Sequence, residues 1–310
     1  MAYQSGQLIQ ASSPSTDYNE IAALVNEVFG DVHSGNLDIG TGDFGYGQTP
    51  TISNVTAGEI VTANHWTSIL STVSACAVHQ GTSVGSIPSS VTTGSLIDAY
   101  DTPESLLSLV TDIRDNRLNI APSESQVTSG GVKLTETAIS DWTEQIVHGF
   151  EVNFNSTDEA RHFFNSGGQI HWSASYTPGN PDESGEEVDW QIALDRIGTL
   201  QFGATATSST GTPGAVSNSG FYDLAISPTT TLMTDQIGNI NTGYGVENIL
   251  VTVTALDNLT RLVFTVFLTT ESLPDRVLNG TLNSFVDQRR SVGSILSTEP
   301  TYTTVAFNVS

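Results

Sequence analysis

The run NSTDEARHFFNSGGQIHWSASYT, residues 155–177, constrains the fold more tightly than any other stretch of this chain. Ser156 or Thr157 can cap a helix, and Asp158 and Glu159 follow where the helix dipole favours negative charge. Ala160, Phe163 and Phe164 give that helix one apolar side, and residues 165–168 supply the left-handed positions that stop it. Ile170, Trp172, Ala174 and Tyr176 then alternate with Gln169, His171, Ser173 and Ser175, the period of a strand with one apolar face. Residues 146–154 read as a strand as well. The middle of the chain is therefore a strand–helix–strand unit.

What precedes it is helical. Residues 1–15 form a polar arm whose only apolar pair is Leu8 and Ile9. Ile21, Leu24, Val25, Val28 and Phe29 have helical spacing, stopped at Gly30. Thr62 begins a second helix, with Trp66, Ile69, Leu70, Val73 and Ala77 on one face and Val61 as a hydrophobic staple. A third is expected over residues 102–117. Residues 121–131, rich in Ser, Gly and Pro, read as a linker. The expected organisation is an arm (1–15), a helical docking domain (16–120), the linker (121–131) and a β-rich domain (132–310).

After an acidic loop at 178–187 and a helix at 188–197, the chain becomes mainly β. Strands are expected at 199–206, 220–226, 248–255, 261–268, 281–286 and 301–309, with a hairpin turn at 256–260. Such short, regularly spaced strands favour an antiparallel sandwich over a βαβ sheet. The fold class is α+β: a small helical domain, then a sandwich-like β domain with a short helix inserted between strands.

Charge narrows the partners. Thirty-three acidic residues face nine basic ones, a net charge of −24, and Lys133 is the only lysine. Phosphate backbones and anionic membrane surfaces repel such a chain, so neither nucleic acid nor a membrane is an expected partner. Only 14% of residues are charged, against about 25% in a typical soluble protein, the balance being Ser, Thr, Asn and Gly. No apolar run reaches the ~18 residues of a membrane span, and no N-terminal run resembles a signal peptide. The expectation is a soluble product of the cytoplasm. Cys76, the single cysteine, excludes an intrachain disulfide and reads as a buried core thiol.

No group of residues demands catalysis. Gly40–Gly45 matches GxGxxG formally but lacks the preceding strand and following helix of a dinucleotide site. His162 and His171 could approach across the 165–168 turn, although polar residues beside a turn explain them as well. Asp141, His148 and Ser173 form a triad only on paper, without a nucleophile elbow. Asp182, Glu183, Glu186 and Glu187 lack the alternating spacing of a calcium loop and read as solvated. Trp66, Trp142, Trp172 and Trp190 could line a sugar groove, but Trp66 and Trp190 sit at apolar helical positions and Trp172 on the apolar strand face, so core packing is the default reading. Arg289-Arg290, the one basic doublet, could clamp a partner carboxylate. Tyr222 and Tyr244 are the loop aromatics on which a glycan could stack.

Several of these runs carry a resemblance. The "ARxFFNSGGxIxxSAS" pattern resembles a module of virion structural proteins from tailed bacteriophages, especially those of marine bacteria and cyanobacteria. GQLIQAS, DYNEIAALVNEVFG, GDFGYGQ, GEIVTANHWTSIL and AVHQG resemble the start of that family, and Gly280-Thr281-Leu282 with VDQRRSVGSI its later part. Together they cover most of the chain in the family's order. The resemblance implies a non-enzymatic structural part of the neck, tail or baseplate, present in several copies, with no catalytic residues and no cofactor. Its partners would be other phage structural proteins and further copies of itself, in a virion assembled in the host cytoplasm. The alternative is a fibre or capsid decoration protein that binds host surface glycans.

Overall fold

The computed structural model describes residues 18–31, 45–56, 59–85, 91–92, 106–127, 132–139, 141–179, 185–238, 246–270 and 277–310. Five helices and twelve strands in two sheets are present among them, an α+β architecture. The chain forms two compact units. The first holds the described residues of Met1–Gln126 together with Arg161–Gly167 and Arg290–Thr298. Those last two segments lie within the range that the sequence reading gave to the β domain. The second holds Val127–Ala160, Gly168–Arg289 and Glu299–Ser310.

In the first unit, α1 (Tyr18–Phe29), α2 (Ala63–Gln80) and α3 (Leu106–Asp115) pack pairwise around one core. α1 buries Ile21, Ala22, Val25 and Val28; α2 buries Trp66, Ile69, Leu70, Val73, Cys76 and Ala77; α3 adds Leu106, Leu109, Val110 and Ile113. Each set recurs at three or four residues, so each helix turns one stripe inward. Thr62 caps α2 in a capping box completed by His65, and left-handed Gly81 (φ 73°) closes it. Two asparagines on α1 hold the extended segment 52–55. The Asn26 side chain both donates to Ile52 O and accepts from Ile52 N, each at 2.8 Å. Asn19 repeats this with Val55 at 2.9 Å. Backbone groups with no strand neighbour are thereby satisfied by side chains.

The expected linker is only partly irregular. Pro122–Glu124 is a 3₁₀ turn and leads into β1 (Ser125–Val127), while residues 128–131 lie outside the described part.

The second unit is a sandwich. β2 (Leu134–Ala138) and β3 (Gln145–Asn153) precede α4 (Thr157–Asn165), of which Arg161–Asn165 belong to the first unit, and β4 (Gln169–Pro178). Then come α5 (Gly185–Ile197), β5 (Leu200–Phe202), β6 (Thr207–Ser209), β7 (Ala215–Val216), β8 (Thr229–Gly238) and β9 (Val246–Leu256). β10 (Arg261–Thr269), β11 (Gly280–Ser291) and β12 (Thr301–Val309) complete the chain. One sheet has the order β1-β11-β4-β5-β6, with β2 also paired to β11; the other has the order β12-β3-β10-β9-β8-β7. Leu262, Phe264, Val266 and Leu268 of β10 and Leu282, Ser284, Val286 and Gln288 of β11 turn inward in strict alternation. Phe264 stacks on Phe150 of β3 at 5.0 Å and meets Phe202 of the opposite sheet edge-on at 5.5 Å.

Three expectations need correction. Residues 220–226 are not a strand: Phe221–Asp223 is a 3₁₀ turn, because Gly220 N donates to Asp223 Oδ2 at 2.8 Å and bends the backbone back. Only Ile226 makes a bridge, parallel to Ala255. The strand expected at 199–206 is broken at Gly203, whose N–H donates to Ala206 O, giving β5 and β6. Finally, β8 pairs along β9 through a run that the sequence reading left between strands.

Candidate interaction surfaces

Several of the motif runs meet in the first unit, and their polar groups are used internally. Asp31 follows α1 with a left-handed backbone (φ 87°). Its carboxylate accepts from Arg161 Nη2 at 2.6 Å, Arg161 Nη1 at 3.3 Å and Gly45 N at 3.0 Å, and it lies 3.0 Å from His162 Nε2. Burial alone would raise this carboxyl, but the bonds from His162 and Arg161, the Arg161 charge and the Gly45 N–H hold it below its ordinary value. Asn165 Nδ2 donates to Gly45 O at 2.9 Å. Gly47 (φ 66°) passes so close to His162 that a Cβ there would fall 2.2 Å from Nδ1. Gly167 (φ 77°) lies against Ile120, where a Cβ would fall 2.7 Å from Cγ2.

The other motifs join the same framework. Tyr46 OH donates to Arg117 O at 2.7 Å and accepts from Gln80 Nε2, also at 2.7 Å, and its ring meets His79 edge-on. Gln80 Nε2 also donates to Ile113 O. The Gln48 amide donates to Leu296 O at 2.8 Å and accepts from Leu296 N at 3.2 Å. Ser291 Oγ donates to Ile295 O and lies 3.3 Å from His79 Nδ1. Runs far apart in sequence, GYGQ, HQG, ARHFFNSGG and RSVGSI, are thus one structural assembly.

The proposed chemistry dissolves on inspection of partners. His162 bonds Asp31 while His171 Nε2 lies 3.0 Å from Gln169 Oε1, so the two do not form a metal pair. No group of three metal-ligating side chains occurs among the described residues. His148 turns to Ser284 Oγ at 2.7 Å rather than to Ser173, and Ser284 also accepts from Trp172 Nε1 at 2.9 Å. His148 and Ser284 are fully buried, so this pair has no substrate access. Burial pushes His148 down to about 4, against a smaller upward pull from Glu136. Burial likewise lowers His171 to about 4, with Asp287 opposing and Arg289 adding. Glu187 is not solvated: it is buried in α5 and accepts from Asn279 N at 3.0 Å. All four tryptophans are core residues, and Trp142 rests on Trp190 at 5.2 Å. Cys76 is fully buried, and burial pushes its thiol up to about 12.

Among the candidate partner residues, Leu8, Ile9 and Tyr244 lie outside the described part. Tyr222 is half-buried in the 3₁₀ turn, its N–H on Ala204 O and its ring against Phe221. Arg289 and Arg290 are consecutive on β11 and so face opposite sides of the strand, not one carboxylate. Arg290 Nη1 donates to Ser297 O at 2.8 Å, and burial lowers Arg289.

A different surface emerges on α2, one that the sequence analysis treated only as a helix with a core face. None of its 18 residues is Asp, Glu, Lys or Arg. Its outward side carries Asn64, Ser68, Ser71 and Val78, with Thr72 and Ala75 half-buried between them. Ser68 Oγ and Ser71 Oγ donate back to Asn64 O and Ser68 O, so the hydroxyls lie down on the helix. A groove of about 600 Å³ runs along this side, closed by Tyr18, Phe29, Ile52 and Ser294. Its walls are hydroxyl and apolar, with His65 the only titratable side chain besides Tyr18. Comparison with protein families, curated proteins and solved structures finds no match to this chain.

Proposed function

We propose that this chain is a non-enzymatic structural component of a tailed phage particle, in the neck, tail or baseplate, which assembles through protein–protein contacts. The observation that carries this reading is the charge-free side of α2 with its groove, on a chain of net charge −24. A solvated helix normally carries charge on its outer face. An uncharged face of small side chains instead lets a neighbouring backbone approach closely, with little desolvation cost. The internal use of the motif residues supports the same reading, since side chains bound to their own chain shape a scaffold. Neither cofactor nor metal is required.

Particles from an infected-host lysate, banded on a density gradient and labelled with antibody to the purified chain, test the proposal. Gold at the neck, tail or baseplate is the expected result. Particles that carry none of the chain overturn it.

Host-glycan binding is the second reading, favoured by the hydroxyl-lined groove that bears no carboxylate or ammonium. Retention on a glycan array, abolished by Ser71→Trp, would support it.

A further inference from the structure

Tyr18, the first described residue, lines one end of the groove on α2. Its hydroxyl donates to Ser53 O on one wall at 3.0 Å, and its ring packs on His65 of the other wall at 5.5 Å. Phe29 and Ala75 line the far end. Tyr18 and Phe29 are the two ends of α1, so at the helical rise the groove is about 16 Å long. On the first wall, the N–H groups of Thr51 and Ser53 have no partner among the described residues. Residues 1–16, which lead to Tyr18 through Asp17, contain no charged side chain. They carry the apolar pair Leu8 and Ile9 between Gln7 and Gln10.

We infer that the chain's own residues 1–16 occupy this groove before assembly: the chain turns back at Tyr18 and lays Leu8 and Ile9 between α2 and residues 51–53. Connectivity selects this occupant. Whatever precedes Tyr18 is delivered at the mouth of the groove, and Ile9 is close enough in sequence to reach up to ~30 Å from it. That exceeds the length of the groove and leaves slack for the reversal. A segment on so short a tether meets the site at about millimolar effective concentration, ahead of any free chain of like composition. The chemistry agrees with the connectivity. Neighbouring residues of an extended chain point to opposite sides, so Leu8 and Ile9 face one wall each. Gln7 and Gln10 bring amides to the hydroxyls of Ser68 and Ser71, and the arm's carbonyls can accept from Thr51 and Ser53. This inference names the occupant of the groove used in the assembly reading, and Asn64 and Val78, outside the groove, stay open to a neighbour. It is tested on purified protein alone. Absence of the chain from particles would overturn that reading and leave this one standing.

Ser71→Cys in the full chain places a thiol on the groove wall, and buried Cys76 does not compete with it. A bulky maleimide is expected to label that thiol about tenfold more slowly than in the same chain carrying Leu8→Asp and Ile9→Asp, the ratio set by an arm docked nine-tenths of the time. The slow rate should be independent of protein concentration, and an unchanged far-UV spectrum shows that the Asp variant is folded. Leu8→Cys or Ile9→Cys, combined with Ser71→Cys, is expected to close a disulfide within one chain on mild oxidation, read as a band at monomer mass. Equal labelling rates with and without the Asp pair overturn the inference. So does failure of both cysteine pairs to close within the chain. A disulfide that instead joins Leu8→Cys of one chain to Ser71→Cys of another, in a dilute mixture of the single variants, overturns it in favour of a second copy.

Discussion

Asp31 is where the pieces of the helical unit are tied together. Removing its charge by Asp31→Asn weakens the bonds to Arg161 and His162, and a cost of about 2 kcal/mol is expected in urea unfolding. Because the folded carboxyl sits below its ordinary value, its contribution is present above pH 3.8 and is lost as the pH falls through the folded value. His148 has the opposite chemistry. Its buried ring is neutral down to about pH 4, while the unfolded chain takes up the proton near pH 6.5. Stability therefore falls as pH drops from 6.5 towards 4, and His148 alone accounts for about 2 kcal/mol between pH 7 and 5. His171, lowered as far, adds a similar slope. His148→Phe is expected to halve the pH dependence of urea midpoints over that window. Neither arrangement was legible in the sequence. Asp31 and Arg161 are 130 residues apart, and nothing in their local pattern names the partner.

The elements themselves were largely legible where periodicity was strong. α2 announced itself by Thr62 and its apolar stripe, and Thr62→Ala is expected to cost about 1 kcal/mol, read as a lower thermal midpoint. Gly167→Ala should cost more than a cap, since it combines a left-handed backbone with a contact to Ile120. β10 and β12 were readable by alternation and by their flanking turns. β8 was not, because Thr229-Thr230-Thr231 is chemically uniform and its register slips between Thr231 and Met233. Residues 220–226 misled in the other direction: Phe221, Leu224 and Ile226 look strand-like, but one aspartate bonded to Gly220 decides the turn. The face of α2 was hidden for a further reason. Sequence patterns point to what is buried, and an outer face of small uncharged residues leaves no periodic signal.

For the whole molecule, the net charge sets the conditions under which copies meet. Two chains of −24 repel at long range, and salt screens that repulsion over about 8 Å at physiological strength. If copies meet through the charge-free face of α2, association should tighten as sodium chloride rises from 20 to 500 mM, the reverse of a contact made by ion pairs. Light scattering at fixed protein concentration reads this directly. The buried thiol has a different use. Cys76 lies at zero exposure in the centre of the helical core and ionises only near pH 12 while folded. A thiol reagent can reach it only after that core opens, and the chain has no second cysteine to blur the signal. The rate of labelling at neutral pH is thus a clock for the breathing of one unit, running in the intact protein without a probe having to be added.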